Sequence, residues 1–159
     1  MKWDIRPHNG MGPLYFGMKP EEVAAIPGMG APERVVTGYD GSLVEFRAID
    51  MPMCNYVDGG LSTIDTTRRV ADVWFNDMNI YETPPLDVLQ TLERASGRVL
   101  AGLGSILFIG IGLNVGGFYY EDTNNLYDPE TDQDDRGVAA FQPGAFDALA
   151  SEYKAVTFL

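Results

Sequence analysis

Short apolar runs, punctuated by glycine and proline, divide the chain into many brief strands and few helices. The longest uncharged run, residues 99–120 (VLAGLGSILFIGIGLNVGGFYY), is the one around which the rest arranges. Its 22 residues are enough in number for a membrane-spanning helix, and Gly112 and Gly116 supply a GxxxG spacing. Six glycines, at 102, 104, 110, 112, 116 and 117, argue against a helix, because each costs about 1 kcal/mol in a helix interior. Ser105 and Asn114 interrupt the run as well, and no basic clusters flank it. The pattern therefore predicts two buried strands, residues 106–109 and 113–120, with Gly110 and Gly112 bracketing the reversal. In the second strand Leu113, Val115, Gly117 and Tyr119 are expected to look inward, and Asn114, Gly116, Phe118 and Tyr120 outward. Gly116 and Gly117 then mark a bulge or a close backbone approach.

Elsewhere the alternation predicts strands at residues 3–6 and 14–16, the first ended by Pro7. Pro20, Glu21 and Glu22 open a helix that Pro27 and Gly28 stop. Residues 34–39 and 43–49 flank Asp40-Gly41 as a hairpin. Within it Val44, Phe46 and Ala48 share one face and Leu43, Glu45 and Arg47 the other, so one face packs and one is wet. A second hairpin joins residues 53–57 and 61–65 through 58–60, and 70–75 adds a strand. A helix over 84–96 is framed by Thr83 as cap, Pro84 and Gly97, with Val88, Leu89, Leu92 and Ala95 as its buried stripe. Residues 138–141 form a strand, 144–151 a short helix, and 156–159 an edge strand. Residues 15–23 and 80–88 align weakly as strand, proline-opened turn and acidic helix start; duplication and the common grammar of helix entry both account for that match. The expected fold is α+β, a single domain over residues 1–159. It has an antiparallel sheet of about six to eight strands with two main helices packed on it, and room for a weak two-repeat organisation.

Length and composition agree with one self-sufficient domain: 159 residues, 45% hydrophobic and 21% charged. A net charge of −12 argues against nucleic acid or an anionic membrane surface as partner, and leaves a basic partner or simple solubility as its use. Cys54 stands alone, which rules out an intramolecular disulfide and a multi-cysteine metal site; a small buried hydrophobe is its expected role. The N-terminal residues MKWDIRPHNG lack the apolar core of a signal peptide, so a cytoplasmic protein is expected.

The catalytic candidates are sparse. His8 lies in a turn-rich terminal segment, and no neighbouring base or helix start activates Cys54. Gly102-Leu103-Gly104-Ser105 is not a nucleophile elbow, and a β-rich run follows Gly110-Ile111-Gly112 where a dinucleotide fingerprint needs a helix. Residues 121–135, EDTNNLYDPETDQDD, carry seven acids and no base. Read as an EF-hand from Asp128, the sixth position is Gln133 and the twelfth Ala139, so that motif fails. A solvated loop, a looser calcium site and a recognition surface stay open, the last because Tyr119, Tyr120 and Tyr127 flank or interrupt the charges. Trp74 and Tyr81 belong either to that patch or to the core.

The segments LYFGMKPEEV, DVWFNDMNIYETPPLDVLQTLERASG, GSILFIGIGLNVGGFYYEDT and DRGVAAFQPGAFD resemble small bacterial immunity proteins that partner polymorphic or secretion-system toxins. The F-G-M-x-x-E-E-V pattern also recurs in inhibitor and lipoprotein folds that pack a helix on an antiparallel sheet, and Lys19 stands where such patterns commonly place Ser or Thr. The resemblance implies a binding protein without an assigned catalytic set and identifies no cognate toxin; with the acidity and the missing catalytic constellation it leads to the expectation of a cytoplasmic, non-enzymatic immunity or inhibitor protein that occludes a basic toxin domain without cofactor or metal. Its expected partner-binding residues are Tyr120, Glu121, Asp122, Tyr127, Asp128, Asp132, Asp134 and Asp135. The competing expectation is a small acidic ligand- or divalent-metal-binding domain, or an enzyme using Asp and Glu. A third is a structural subunit that dimerises through the edge near 156–159.

Overall fold

The computed structural model describes residues 1–120, 125–126 and 136–159. The chain opens with β1 (Trp3–Arg6), β2 (Gly10–Met11), β3 (Leu14–Tyr15) and α1 (Pro20–Ala24). Next come β4 (Arg34–Thr37), β5 (Leu43–Phe46), β6 (Met53–Val57) and β7 (Gly60–Thr67), then β8 (Val73–Phe75) and β9 (Met78–Asn79). After α2 (Pro85–Ser96) follow β10 (Val99–Gly102), β11 (Ser105–Phe108), a 3₁₀ turn (Ile109–Ile111), β12 (Leu113–Gly116), β13 (Tyr119–Tyr120) and β14 (Asn125–Leu126). β15 (Gly137–Phe141), α3 (Asp147–Ala150) and β16 (Lys154–Val156) complete it.

Nine of these strands form one antiparallel sheet in the order β16-β10-β11-β12-β15-β7-β6-β5-β4, and five form a smaller sheet, β3-β2-β1-β8-β9. The molecule is therefore α+β but richer in sheet than the alternation predicted. Among the described residues α2 is the one helix of several turns, since α1 has five residues and α3 four. The smaller sheet includes a parallel pair, β1 with β8, which local alternation cannot reveal because its strands lie some seventy residues apart in sequence. Eight of the nine strands fall into two antiparallel runs of four, each after a proline-opened helix, β4 to β7 after α1 and β10-β11-β12-β15 after α2, and β16 adds the ninth at the β10 edge. The two runs join through their last strands, Ala139 opposite Asp65.

The inner face of the large sheet packs against α2 and the smaller sheet. Val88, Leu89 and Leu92 of α2, Ile64, Val115 and Phe108 of the large sheet, and Trp3 and Val73 of the smaller one share this core. Ala95 is exposed, and the buried member of the stripe is Glu93 instead. Its carboxylate accepts from Thr157 Oγ1 and from the Phe158 N–H, both at 2.6 Å, so partners in the C-terminal segment compensate its burial. Pro84, not Thr83, occupies the cap position, while the Thr83 hydroxyl donates to the Asn79 carbonyl. On the outer face α3 and its flanks cover one end, with Phe146, Ala150 and Tyr153 over Leu100, Leu107 and Phe141.

Residues 99–120 hold three strands of the large sheet rather than two. Val99–Gly102 forms its own strand and turns back through Leu103 and Gly104, both at positive φ. The reversal at 109–112 stands as expected, with Gly112 left-handed. Leu113 and Val115 are fully buried, but Phe118 is buried as well, because the chain turns at Gly117 (φ 75°) and the alternation restarts. Gly110 is where the 3₁₀ turn meets the end of α2: a Cβ there would lie 2.1 Å from the Ser96 carbonyl oxygen. Gly110→Ala is therefore expected to cost about 2–3 kcal/mol and to lower the thermal midpoint by roughly 5–10 °C. Calorimetry checks this; an unchanged midpoint contradicts the close approach.

The hairpin of β4 and β5 is oriented opposite to expectation. Glu45 and Arg47 are 4% and 8% exposed, whereas Val44 and Phe46 are half-buried and Ala48 exposed. Two opposite charges two residues apart on a strand share a face, and here they neutralise one another inside the protein.

Candidate functional site

The site grows from the hairpin's own chemistry. Asp40 closes the turn by accepting from the Ser42 N–H and hydroxyl at 3.0 and 2.6 Å, donors that hold its carboxyl below its ordinary range. Beneath the turn, Arg47 Nη1 lies 3.3 Å from Glu45 Oε1, and the Tyr56 hydroxyl donates to the same oxygen at 2.7 Å. Arg47 Nε and Nη2 donate to the Gly30 carbonyl at 3.2 and 3.1 Å, which ties the connector before β4 to the sheet. Burial, reinforced by the hydrogen bond to Glu45, raises the Tyr56 phenol above its ordinary value. Burial pushes the Cys54 thiol up to about 11, which keeps it protonated and poorly nucleophilic near neutrality. The cluster is a structural clamp.

Its opposite face carries the opening. Met53 and Asp65 pair directly across β6 and β7, and Arg34 pairs with Phe46 across β4 and β5. With Glu33, Met51 and Thr67, and with Arg47 shared between the clamp and the opening, these side chains line a cavity of about 580 Å³. The Arg34 guanidinium sits 4.2 Å from the centre of the Phe46 ring. Such a cavity, mostly apolar with a few convergent polar groups, has the size and character of a ligand or side-chain pocket.

Asp65 is its most perturbed group. Burial pushes the carboxyl from 3.8 up to about 6, against the lowering effect of the Asn55 amide that donates to it. The folded chain thus holds this proton more tightly than the unfolded chain does. Its favourable contribution is complete below about pH 4 and is lost as the pH rises through about 6, a loss of roughly 3 kcal/mol from this group. Asp65→Asn is expected to remove that slope in urea unfolding between about pH 4 and pH 7; the same slope in the variant contradicts the assignment.

Beside the cavity runs an open sheet edge. All four residues of β4 are exposed, and β4 ends the nine-stranded sheet. Val35 and Val36 are 48% and 44% exposed, Tyr39 is fully exposed, and Ile49 of the adjoining loop is 66% exposed. Gly38 donates to Ser42, so the antiparallel alternation turns the main-chain groups of Val36 and Arg34 toward β5 and those of Val35 and Thr37 outward.

Of the residues the sequence marked for partner binding, Tyr120 lies in the backbone of β13, and Glu121, Asp122, Tyr127, Asp128, Asp132, Asp134 and Asp135 lie outside the described residues. Tyr81 is a core residue, 5% exposed, with its hydroxyl donating to the Thr66 carbonyl. Trp74 is half-buried, with the Lys2 ammonium 5.1 Å from its ring centre. His8 sits in a left-handed turn, its Nε2 2.9 Å from the Gly110 carbonyl. Among the described residues no three His, Cys, Asp or Glu side chains gather as a metal group, and no helix is long and apolar enough to cross a membrane. Sequence reasoning missed the pocket and the edge. The available signal was Asp65, an acid opposite Met53 and on the same strand face as Thr63 and Thr67. Comparison with protein-family profiles, with curated proteins and with solved structures finds no match.

Proposed function

We propose that this protein is a non-catalytic binding partner of the immunity or inhibitor type, acting in the cytoplasm on a basic bacterial toxin domain. The observation that carries the reading is the open β4 edge with exposed Val35, Val36 and Tyr39 beside a cavity of about 580 Å³. An unpaired edge takes an extended segment by main-chain hydrogen bonding, and a neighbouring pocket takes one of its side chains. Within the pocket lining Glu33 and Asp65 are balanced by Arg34 and Arg47, so the choice of an extended cationic segment as occupant rests on Asp40 and Asp50 beside the hairpin and on the whole chain's −12. That charge also accelerates encounter with a basic partner. In this reading the acidic run 121–135, with Tyr120, adds to the steering.

The test is co-expression with the product of the neighbouring reading frame, which this reading expects to be a toxin domain. Relief of growth arrest, with direct association by calorimetry, is the expected result. A metabolic enzyme in that position that the chain does not bind overturns it.

The raised Asp65 carboxyl in a pocket favours a second reading, a small-ligand domain whose acid binds or transfers a proton. A thermal shift with small cationic ligands or divalent cations, lost in Asp65→Asn, distinguishes it.

A further inference from the structure

Asp65 follows Ile64, which points into the core, so its own side chain points to the other face of the large sheet, into the 580 Å³ cavity. Asn55 Nδ2 donates to Asp65 Oδ2, while Oδ1 makes no hydrogen bond among the described residues and is open to the cavity. No cation holds this carboxyl down, for the Asn55 amide is the one group that opposes the effect of burial. Of the two guanidinium groups in the lining, Arg47 is committed to Glu45 and to the Gly30 carbonyl, and Arg34 lies over the Phe46 ring. Glu33 and Asp65 balance Arg34 and Arg47, and Glu45 on Arg47 then leaves one surplus negative charge whenever Asp65 ionises.

One free carboxylate oxygen selects among cations. A divalent ion takes about six or more oxygen ligands and finds too few here. A guanidinium fork needs both oxygens of its partner, and Asn55 occupies one of them. An ammonium group needs only one. Around it Phe46, Ala48, Ile49, Met51 and Met53 supply an apolar wall, in which thioethers and an aromatic ring suit a hydrophobic body. The volume fits a molecule with such a body rather than a bare ion. β7 lies three strands in from β4, so at ~4.8 Å per strand Asp65 is roughly 14 Å from that edge strand. A side chain on a strand added at β4 reaches only the mouth of the cavity at Arg34 and Phe46, and the guest at Asp65 is therefore a free molecule.

We propose that the cavity is a site for a free primary amine with an apolar body, its ammonium on Asp65 Oδ1 and its body against Phe46, Met51 and Met53. The inference rests on the small-ligand reading of this pocket and is independent of strand addition at β4. An ammonium favours the ionised carboxyl, so the guest expels the proton that Asp65 holds up to about pH 6, and binding strengthens as the pH rises through that value. The other titratable groups near Asp65 are the Cys54 thiol and the Tyr81 phenol, both raised by burial and both protonated across this range. Glu33, Arg34 and the Glu45–Arg47 pair are the remaining charges around the opening, Ala139 faces Asp65 from β15, and His8 lies at Gly110, outside the lining.

The experiment is a calorimetric titration of the intact chain with 2-phenylethylammonium chloride at pH 5 and pH 7, with 2-phenylethanol as the neutral isostere and benzylguanidinium chloride as the forked cation. The dissociation constant of the amine is expected to fall about fivefold to tenfold from pH 5 to pH 7. At pH 7 the amine should bind about tenfold more tightly than the alcohol, and more tightly than the guanidinium. The ¹³C signal of the Asp65 carboxyl, which titrates near pH 6 in the free chain, should titrate at lower pH with the amine and stay in place with the alcohol. Asp65→Asn is expected to bind amine and alcohol alike at both pH values. In the wild type, an amine that binds no better than the alcohol, or an Asp65 titration that the amine leaves unmoved, overturns the proposal whatever the variant does. A guanidinium that binds as tightly as the amine overturns the primary-amine assignment. Equal binding of amine and alcohol leaves the small-ligand reading standing, whereas a chain that binds none of the three overturns both.

Discussion

Replacing Arg47 with Met is expected to lower the unfolding free energy by about 3–5 kcal/mol, a large part of the roughly 5–15 kcal/mol that holds a domain of this kind folded. The substitution leaves the Glu45 carboxylate buried with only the Tyr56 hydroxyl as partner, and removes two donors from the Gly30 carbonyl. The loss comes from stranding a charge, so removing both charges restores most of the stability. Glu45→Leu combined with Arg47→Met is expected to cost only about 1–3 kcal/mol, chiefly for the Tyr56 hydroxyl left without its acceptor. Urea midpoints at constant m-value check both figures. A single variant as stable as the wild type contradicts the clamp.

Substituting Val35 with Pro is expected to weaken partner binding by about tenfold to a hundredfold while leaving the fold intact. The Val35 N–H faces away from β5, so the β4–β5 ladder loses nothing, and proline is tolerated on an edge strand. An added strand loses its hydrogen bond at that position and meets the pyrrolidine ring. Forfeiting one or two such bonds, at about 1 kcal/mol each with the accompanying misfit, gives a change of that size. The far-ultraviolet spectrum and thermal midpoint should stay close to those of the wild type. Undiminished affinity in a folded variant removes strand addition from the mechanism.

Much of the scaffold was legible in the chain because the relevant signals are local. Residues 3–6 form β1 as expected, Asp40-Gly41 and Asp58-Gly59 sit at hairpin turns, and Pro84 and Gly97 bound α2. What escaped depends on contacts far apart in sequence. The burial of Glu45 and Arg47 is compensated by Tyr56 and by Gly30, and no alternation of apolar residues encodes those partners. The Leu103-Gly104 turn carries little local signal, because a leucine at positive φ is rare, so the run reads as two strands where three form. The edge was hidden for a different reason: Val35 and Val36 read like any strand residues, and only the order of the nine strands leaves β4 without an outer neighbour. The acidic run that the sequence brought forward lies almost wholly outside the described residues. The pocket at Asp65 and the β4 edge form an open surface that composition alone could not locate.

Amide hydrogen exchange of this chain, alone and saturated with the protein partner that co-expression identifies, is the most direct test of binding through the open edge. Slowed exchange at the Val35 and Thr37 amides, the two that face away from β5, is the predicted result. Protection confined to other elements, with the β4 amides exchanging at their free rate in a complex that has demonstrably formed, would place the partner elsewhere and contradict it.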